Sequence, residues 1–351
     1  MKKSNWEQSI TKFDKLHMYD SLKKFAEQII AARQLMKKFS LPNNYTNPQK
    51  VVVCGMGGSV LATDVIKAVF STKCPIEIVR DYITPQYVDS NTLIIASSYS
   101  GNTEETLSVA REAARRGAKV VVLAAGGELA WWASENNIPS FIFDTKENPC
   151  NSPRMGLGYS LIGQIAILAT ARVIQISEKE LDMAEKTVVK MIEDCTKDSQ
   201  KNLARKFARD LSDREWWFIG AEHLSGSAHV AANQTNENAK RFGGYFVLPE
   251  LNHHLLEGLF LPKSNRRNLA FIFLQSDNYS KKIQTRITLT EKILKKNGIK
   301  FTKINIFGAN KLAEAVCAIT WSGFLSFYSA IEARFDPTAI PYVDFLKKNL
   351  H

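Results

Sequence analysis

The chain has 351 residues, 45% of them hydrophobic and 23% charged, the make-up of an ordinary globular protein rather than a disordered or fibrous one. Its 46 Lys and Arg against 35 Asp and Glu leave a formal net charge of +11. That excess favours an anionic partner, but charge alone does not choose among nucleic acid, membrane surface and phosphorylated metabolite.

The basic residues are spread along the chain among acidic ones rather than gathered on one element, so no nucleic-acid partner is expected. The longest apolar runs, such as Val120–Ala125 and Leu269–Leu274, fall far short of the roughly 20 residues of a bilayer span, and no membrane partner is expected either. No apolar stretch follows Lys2 and Lys3, which argues against a secretory signal. Cys54, Cys74, Cys150, Cys195 and Cys317 are widely separated. Reduced thiols in a cytoplasmic protein are expected.

From Trp6 to about Phe39 apolar residues recur at spacings of three and four, which predicts a helical lead. Leu41-Pro42-Asn43-Asn44 breaks it. Short apolar runs then predict strands at Val51–Cys54, Ile76–Val79, Leu93–Ala96, Val120–Leu123 and Phe141–Phe143, with helices at Thr103–Arg116 and Glu128–Glu135 between them. Tyr159–Arg209 is helical, first apolar and then charged. The alternation restarts with a strand at Trp216–Gly220, a helix at Ala228–Lys240, and strands at Tyr245–Val247 and Leu269–Leu274. The helix Lys281–Lys296, the strand Phe301–Ile306, a long apolar helix Leu312–Ala333 and a last amphipathic helix to Leu350 complete the chain. Strands alternating with helices predict an α/β protein with mostly parallel sheets flanked by helices. The layout occurs twice, so three parts are expected: a helical lead over 1–45, a first α/β domain over 46–175, and linker helices with a second α/β domain over 176–351.

Two loops carry the candidate chemistry. Gly55-Met56-Gly57-Gly58-Ser59 joins a strand to a helix, where glycines let a ligand approach the backbone and free amides attract an anion. Val60 stands where a dinucleotide motif has its third glycine, and no Lys-Ser/Thr pair follows for a P-loop. Ser98-Tyr99-Ser100-Gly101-Asn102-Thr103 is the stronger signal. Three hydroxyls around a glycine at a helix N-terminus make a neutral cradle for a phosphate. The bland alternative is a variant capping box built on Asn102 and Glu105. The loop at the matching place in the second half, Gln275–Ser280, carries an acid and lacks this layout, so one phosphate site per chain is expected.

A strand followed by Gly-x-Gly-Gly-Ser, with a later Ser-x-Ser-Gly-x-Thr, resembles the sugar isomerase (SIS) domain. Asn236-Glu237-Asn238-Ala239-Lys240, Leu248-Pro249-Glu250-Leu251-Asn252-His253-His254, Ser152-Pro153-Arg154 and Leu346-Lys347 narrow this. With them the chain is similar, over nearly its whole length, to the bifunctional phosphoglucose/phosphomannose isomerase family. The resemblance implies two SIS-type α/β sandwich domains, and interconversion of glucose 6-phosphate and mannose 6-phosphate with fructose 6-phosphate through an enediolate. It places the phosphate on Gly57, Gly58, Ser59, Ser98, Ser100 and Thr103. Glu237 aligns with the family's proton-transfer base, and His253 with its ring-opening histidine. His254 stands where the family usually has Asn, which leaves the two histidine roles open to exchange. Arg154 would partner the oxyanion, Lys347 (or Lys348) would help open the ring, and Thr338 would match a threonine that accepts both C2 epimers. The resemblance also implies a homodimer in which His253 reaches the neighbouring subunit's site. No metal and no cofactor are expected. The alternatives are a non-enzymatic phosphosugar-binding regulator and another SIS-domain sugar-phosphate isomerase.

Overall fold

A computed structural model describes residues 5–197 and 202–350. The lead is three helices, α1 (Asn5–Phe13), α2 (Met18–Lys23) and α3 (Phe25–Met36). There follow β1 (Lys50–Cys54), α4 (Gly58–Val69), β2 (Ile76–Val79), β3 (Thr92–Ser98), α5 (Glu104–Arg115), β4 (Lys119–Ala124), α6 (Gly127–Glu135), β5 (Ser140–Ile142) and α7 (Leu157–Thr170). Then come α8 (Glu178–Thr196), α9 (Leu203–Asp210), β6 (Glu215–Ala221), α10 (Ser225–Glu237) and β7 (Gly243–Leu248). The chain closes with α11 (Leu251–His254), α12 (Asn265–Asn268), β8 (Leu269–Gln275), α13 (Lys281–Lys296), β9 (Lys300–Asn305), α14 (Lys311–Glu332) and α15 (Pro341–Asn349). No helix among the described residues is long and apolar enough to cross a membrane.

Contacts divide the chain into two compact units. The first-sheet unit is Lys24–Lys186 with Gly308–Ala315. Its five strands pair in parallel in the order β2-β1-β3-β4-β5. All of β3 is buried, as is β1 beyond Lys50, because helices cover both faces of a parallel sheet. The helix α7 is apolar nearly all round and is buried from Leu157 to Leu168, as a helix inside a core must be. The second-sheet unit holds the described residues up to Lys23, Thr187–Phe307 and those from Val316 onward. Its four strands are also parallel, in the order β7-β6-β8-β9. Trp216, Phe218, Phe271 and Phe273 fill its core.

The contact division departs from the expected parts over 1–45, 46–175 and 176–351. The lead does not stand alone. Helix α3 packs on α7, and Arg33 of α3 pairs with Glu178, Asp182 and Glu185 of α8 at 2.7–2.8 Å. Helices α1 and α2 go with the second sheet, where Trp6 and Tyr19 pack on Tyr328 and Phe327. The apolar periodicity is the same in all three helices, so the sequence did not reveal that they serve different cores.

Candidate active site

In the first-sheet unit, β1 is flanked by β2 on one side and β3 on the other. The strand order therefore reverses between β1 and β3, and such a switch point opens a crevice at the carboxyl ends of the strands. The loop after β1 is Gly55–Gly57 and the loop after β3 is Tyr99–Thr103. The topology thus brings the two predicted phosphate loops side by side.

Their hydroxyls are already ordered. Ser98 Oγ lies 2.8 Å from Thr103 Oγ1 and accepts the Gly101 amide at 3.1 Å. Ser59 Oγ accepts the Tyr99 amide at 3.1 Å, and its carbonyl accepts Ser97 Oγ and Gln164 Nε2 at 2.9 and 2.8 Å. Ser98 and Ser59 are buried, whereas Gly57 and Ser100 are exposed and Gly58 and Thr103 half-buried. The buried hydroxyls orient the loop, and the more open groups face outward. Gly101 has a φ of 73°, and a Cβ there would run into the carbonyl oxygen of Gly126.

The capping-box alternative is corrected here. Thr103 is the N-cap of α5 but makes no side-chain capping bond, since its hydroxyl meets Ser98. Asn102 Oδ1 accepts the amide of Glu128 at 2.9 Å and ties the loop to α6.

Arg154 lies in a single 3-10 turn, Pro153–Met155. Its Cα is 3.2 Å from where a Cβ on Gly58 would stand. The bare glycine therefore lets the arginine turn lie against the first candidate phosphate loop. Asn148 Nδ2 donates to Ser152 O at 2.9 Å, and Gln28 Nε2 to Met155 O at 2.9 Å. Burial pushes the Tyr99 phenol above its ordinary range and that of Tyr159 up to about 12, so both stay protonated as neutral supports.

The remaining candidates lie in the second-sheet unit. Glu237 ends α10 and is half-buried. The helix was expected to run to Lys240, but Lys240 adopts a left-handed φ of 52°. Its ammonium donates to Glu237 O at 2.6 Å and to Pro337 O at 2.8 Å. The Asp336 carboxylate accepts the Thr338 amide at 2.8 Å, and Thr338 is buried. A concavity of about 710 Å³ is walled by Glu237, Lys240, Phe242, Phe335, Asp336 and Tyr342, among others. Among the described residues its walls do not include Thr338, His253 or Lys347. His253 is exposed on α11, and Lys347 and Lys348 are exposed in the last turn of α15. Phe246 packs against the ring of the neighbouring His254.

The second sheet has its own switch point, between β6 and β8. There the amide of Ser280, the N-cap of α13, donates to both carboxylate oxygens of Glu222 at 3.3 Å. The chain supplies its own anion where the first sheet leaves hydroxyls and amides.

Tyr99 and Lys240 stand inside the two motifs with no role read for them, and Asn148, Gln164 and Gln28 lie outside every motif. Gln164 had a signal: it is a lone amide in the apolar run Tyr159–Ala171, and such a residue needs buried partners.

Comparison with known proteins adds the lineage. Residues 200–350 match the bacterial phospho-glucose isomerase C-terminal SIS domain, and residues 44–133 match the SIS domain. A bifunctional phosphoglucose/phosphomannose isomerase of Caldicellulosiruptor bescii is 31% identical over 95% of this chain and 98% of its own. The protein of the same name from Thermoplasma acidophilum is 32% identical over 86% of this chain and 89% of its own. The solved structure of a hypothetical protein of Thermus thermophilus superposes with a TM-score of 0.75 at 15% identity, covering 98% of this chain and 92% of that one. That likeness shows the shared fold.

Proposed function

The chain belongs to the bifunctional phosphoglucose/phosphomannose isomerase family, and we propose on that premise that it interconverts glucose 6-phosphate and mannose 6-phosphate with fructose 6-phosphate. The observation that carries this at the level of the site is the pair of loops at the first switch point. The hydroxyls before α5 are tied to the glycine loop before α4, and the arginine turn packs against that glycine loop at Gly58, an arrangement suited to a phosphate monoester bearing a neighbouring oxyanion.

Ser100, Thr103 and the amides of Gly57 and Gly58 bind the phosphate, with Ser98 and Ser59 orienting them. The Glu237 carboxylate takes the proton from C2 of the aldose and returns it to C1, while the O2 proton passes to O1. Glu237 therefore ends the cycle as it began. The negative charge that develops on the enediolate is met by Arg154, whose guanidinium stays charged and offers a fork of donors. His253 and Lys347 move protons to and from the ring oxygen as the sugar opens, with Lys348 the alternative lysine. Thr338 lies next to the turn clamped by Lys240 and serves acceptance of both C2 epimers. We assign His253 to the neighbouring subunit's site in a homodimer. Its exposure and the family resemblance support that reading.

The test is a coupled spectrophotometric assay with fructose 6-phosphate as sole substrate. Both aldose products should form. Glu237→Gln should lower kcat by about a thousandfold, the usual weight of a general base, with the melting temperature unchanged. Turnover near wild type in that variant would refute the mechanism.

A further inference from the structure

We propose that Tyr99 and Asn148 are positioning residues for the isomerisation: they lock the turn carrying Arg154 to the loop carrying the phosphate cradle. The proposal rests on the reading of Arg154 as the oxyanion partner.

Tyr99 sits between two cradle serines but its ring is buried. Its amide donates to Ser59 Oγ at 3.1 Å, which fixes it to the start of α4. Its hydroxyl accepts from Asn148 Nδ2 at 2.8 Å. The same Nδ2 donates to the carbonyl of Ser152, the N-cap of the Arg154 turn, at 2.9 Å. Asn148 is 2% exposed, and its Oδ1 accepts the thiol of Cys150 at 3.3 Å. On the other side of that turn the Tyr99 ring lies against Gly156, where any Cβ would meet it. Phe143 backs the Tyr99 ring at a centroid distance of 5.6 Å, and Tyr159 stacks on Phe143 at 4.9 Å.

One phenol and one amide therefore connect the β3 loop, the start of α4 and both ends of the arginine turn. The packing needs only the ring, which Phe would supply as well. The hydroxyl adds direction: it holds a buried amide that in turn holds the Ser152 carbonyl, at the start of the turn that carries Arg154. Transition-state stabilisation by a guanidinium is steeply sensitive to such placement. The lock acts after the phosphate has bound, so it should appear in kcat rather than in phosphate affinity.

A double-mutant cycle tests this, with fructose 6-phosphate as substrate and inorganic phosphate as competitive inhibitor. Tyr99→Phe should lower kcat about fivefold, the effect of one buried hydrogen bond, with the phosphate inhibition constant within about twofold of wild type. In an Arg154→Ala background the same substitution should change kcat by less than about twofold, because a lock without its arginine has nothing left to place. Asn148→Ala should repeat the pattern and stands in should Tyr99→Phe fail to fold. Equal losses in both backgrounds would overturn the proposal and leave the Arg154 reading standing. So would a loss of phosphate affinity matching the loss of kcat. Wild-type kcat in Arg154→Ala alone would overturn the Arg154 reading and the lock with it.

Discussion

Gly101 and Ser100 are adjacent in the candidate cradle but should respond to substitution in opposite ways. Gly101 has a left-handed φ of 73° and faces the Gly126 carbonyl where a side chain would stand. Alanine there meets both an unfavourable backbone region and a clash, a combined cost of about 2–3 kcal/mol. Gly101→Ala should therefore lower the melting temperature by several degrees and raise KM for fructose 6-phosphate. Ser100 is exposed, and its hydroxyl accepts the Asn102 amide at a long 3.3 Å. Its removal leaves the loop in place. Ser100→Ala should raise KM about tenfold, the worth of one hydrogen bond to a charged phosphate, with no change in melting temperature. A thermal melt beside a Michaelis curve for each variant separates the two effects. If Ser100→Ala leaves KM unchanged, the phosphate does not sit on that hydroxyl.

At the scale of elements, the two switch points explain why one cradle is proposed rather than two. Both lie where a parallel sheet reverses its strand order, and both present a helix N-terminus to the crevice. In the second, Glu222 already holds the Ser280 amide with its carboxylate. A second phosphate would meet that charge. Calorimetric titration with a sugar-phosphate inhibitor should accordingly give one site per chain, and a stoichiometry of two would refute the assignment. Much of this was legible in the sequence, because strands such as Leu93–Ala96 are continuous apolar runs and the hydroxyl-glycine loop is local. The supports were not legible. Tyr99 and Asn148 are 49 residues apart and Gln164 and Ser59 105 apart, so no spacing rule joins them. The end of α10 was missed for another reason. Helices commonly stop at a glycine in the left-handed region, and here a lysine occupies it. That costs about 1 kcal/mol and is offset by two carbonyls on its ammonium. A lysine in a helical pattern reads as one more helical residue.

At the scale of the whole molecule, the formal charge of +11 is not needed by the cradle, which is mostly neutral hydroxyls and amides. The excess is at most a steering field, which would raise the local concentration of a dianionic sugar phosphate and fade with added salt. The proposed dimer makes a sharper claim. In the proposed mechanism Glu237 and His253 both serve the reaction, yet His253 is open to solvent and does not line the concavity that holds Glu237. If His253 serves the neighbouring subunit's site, each site takes its base from one chain and its ring-opening histidine from the other. Glu237→Gln and His253→Ala homodimers should then both be inactive. Unfolded together and refolded at equal amounts, they should pair at random. About half of the dimers would be mixed, and each mixed dimer would hold one intact and one doubly defective site, giving about a quarter of wild-type activity. If each chain instead used its own histidine, every site would lack one group and no activity would return. The assay therefore reads the sharing directly. Activity restored to about a quarter supports it, and a mixture as inactive as its parents overturns it.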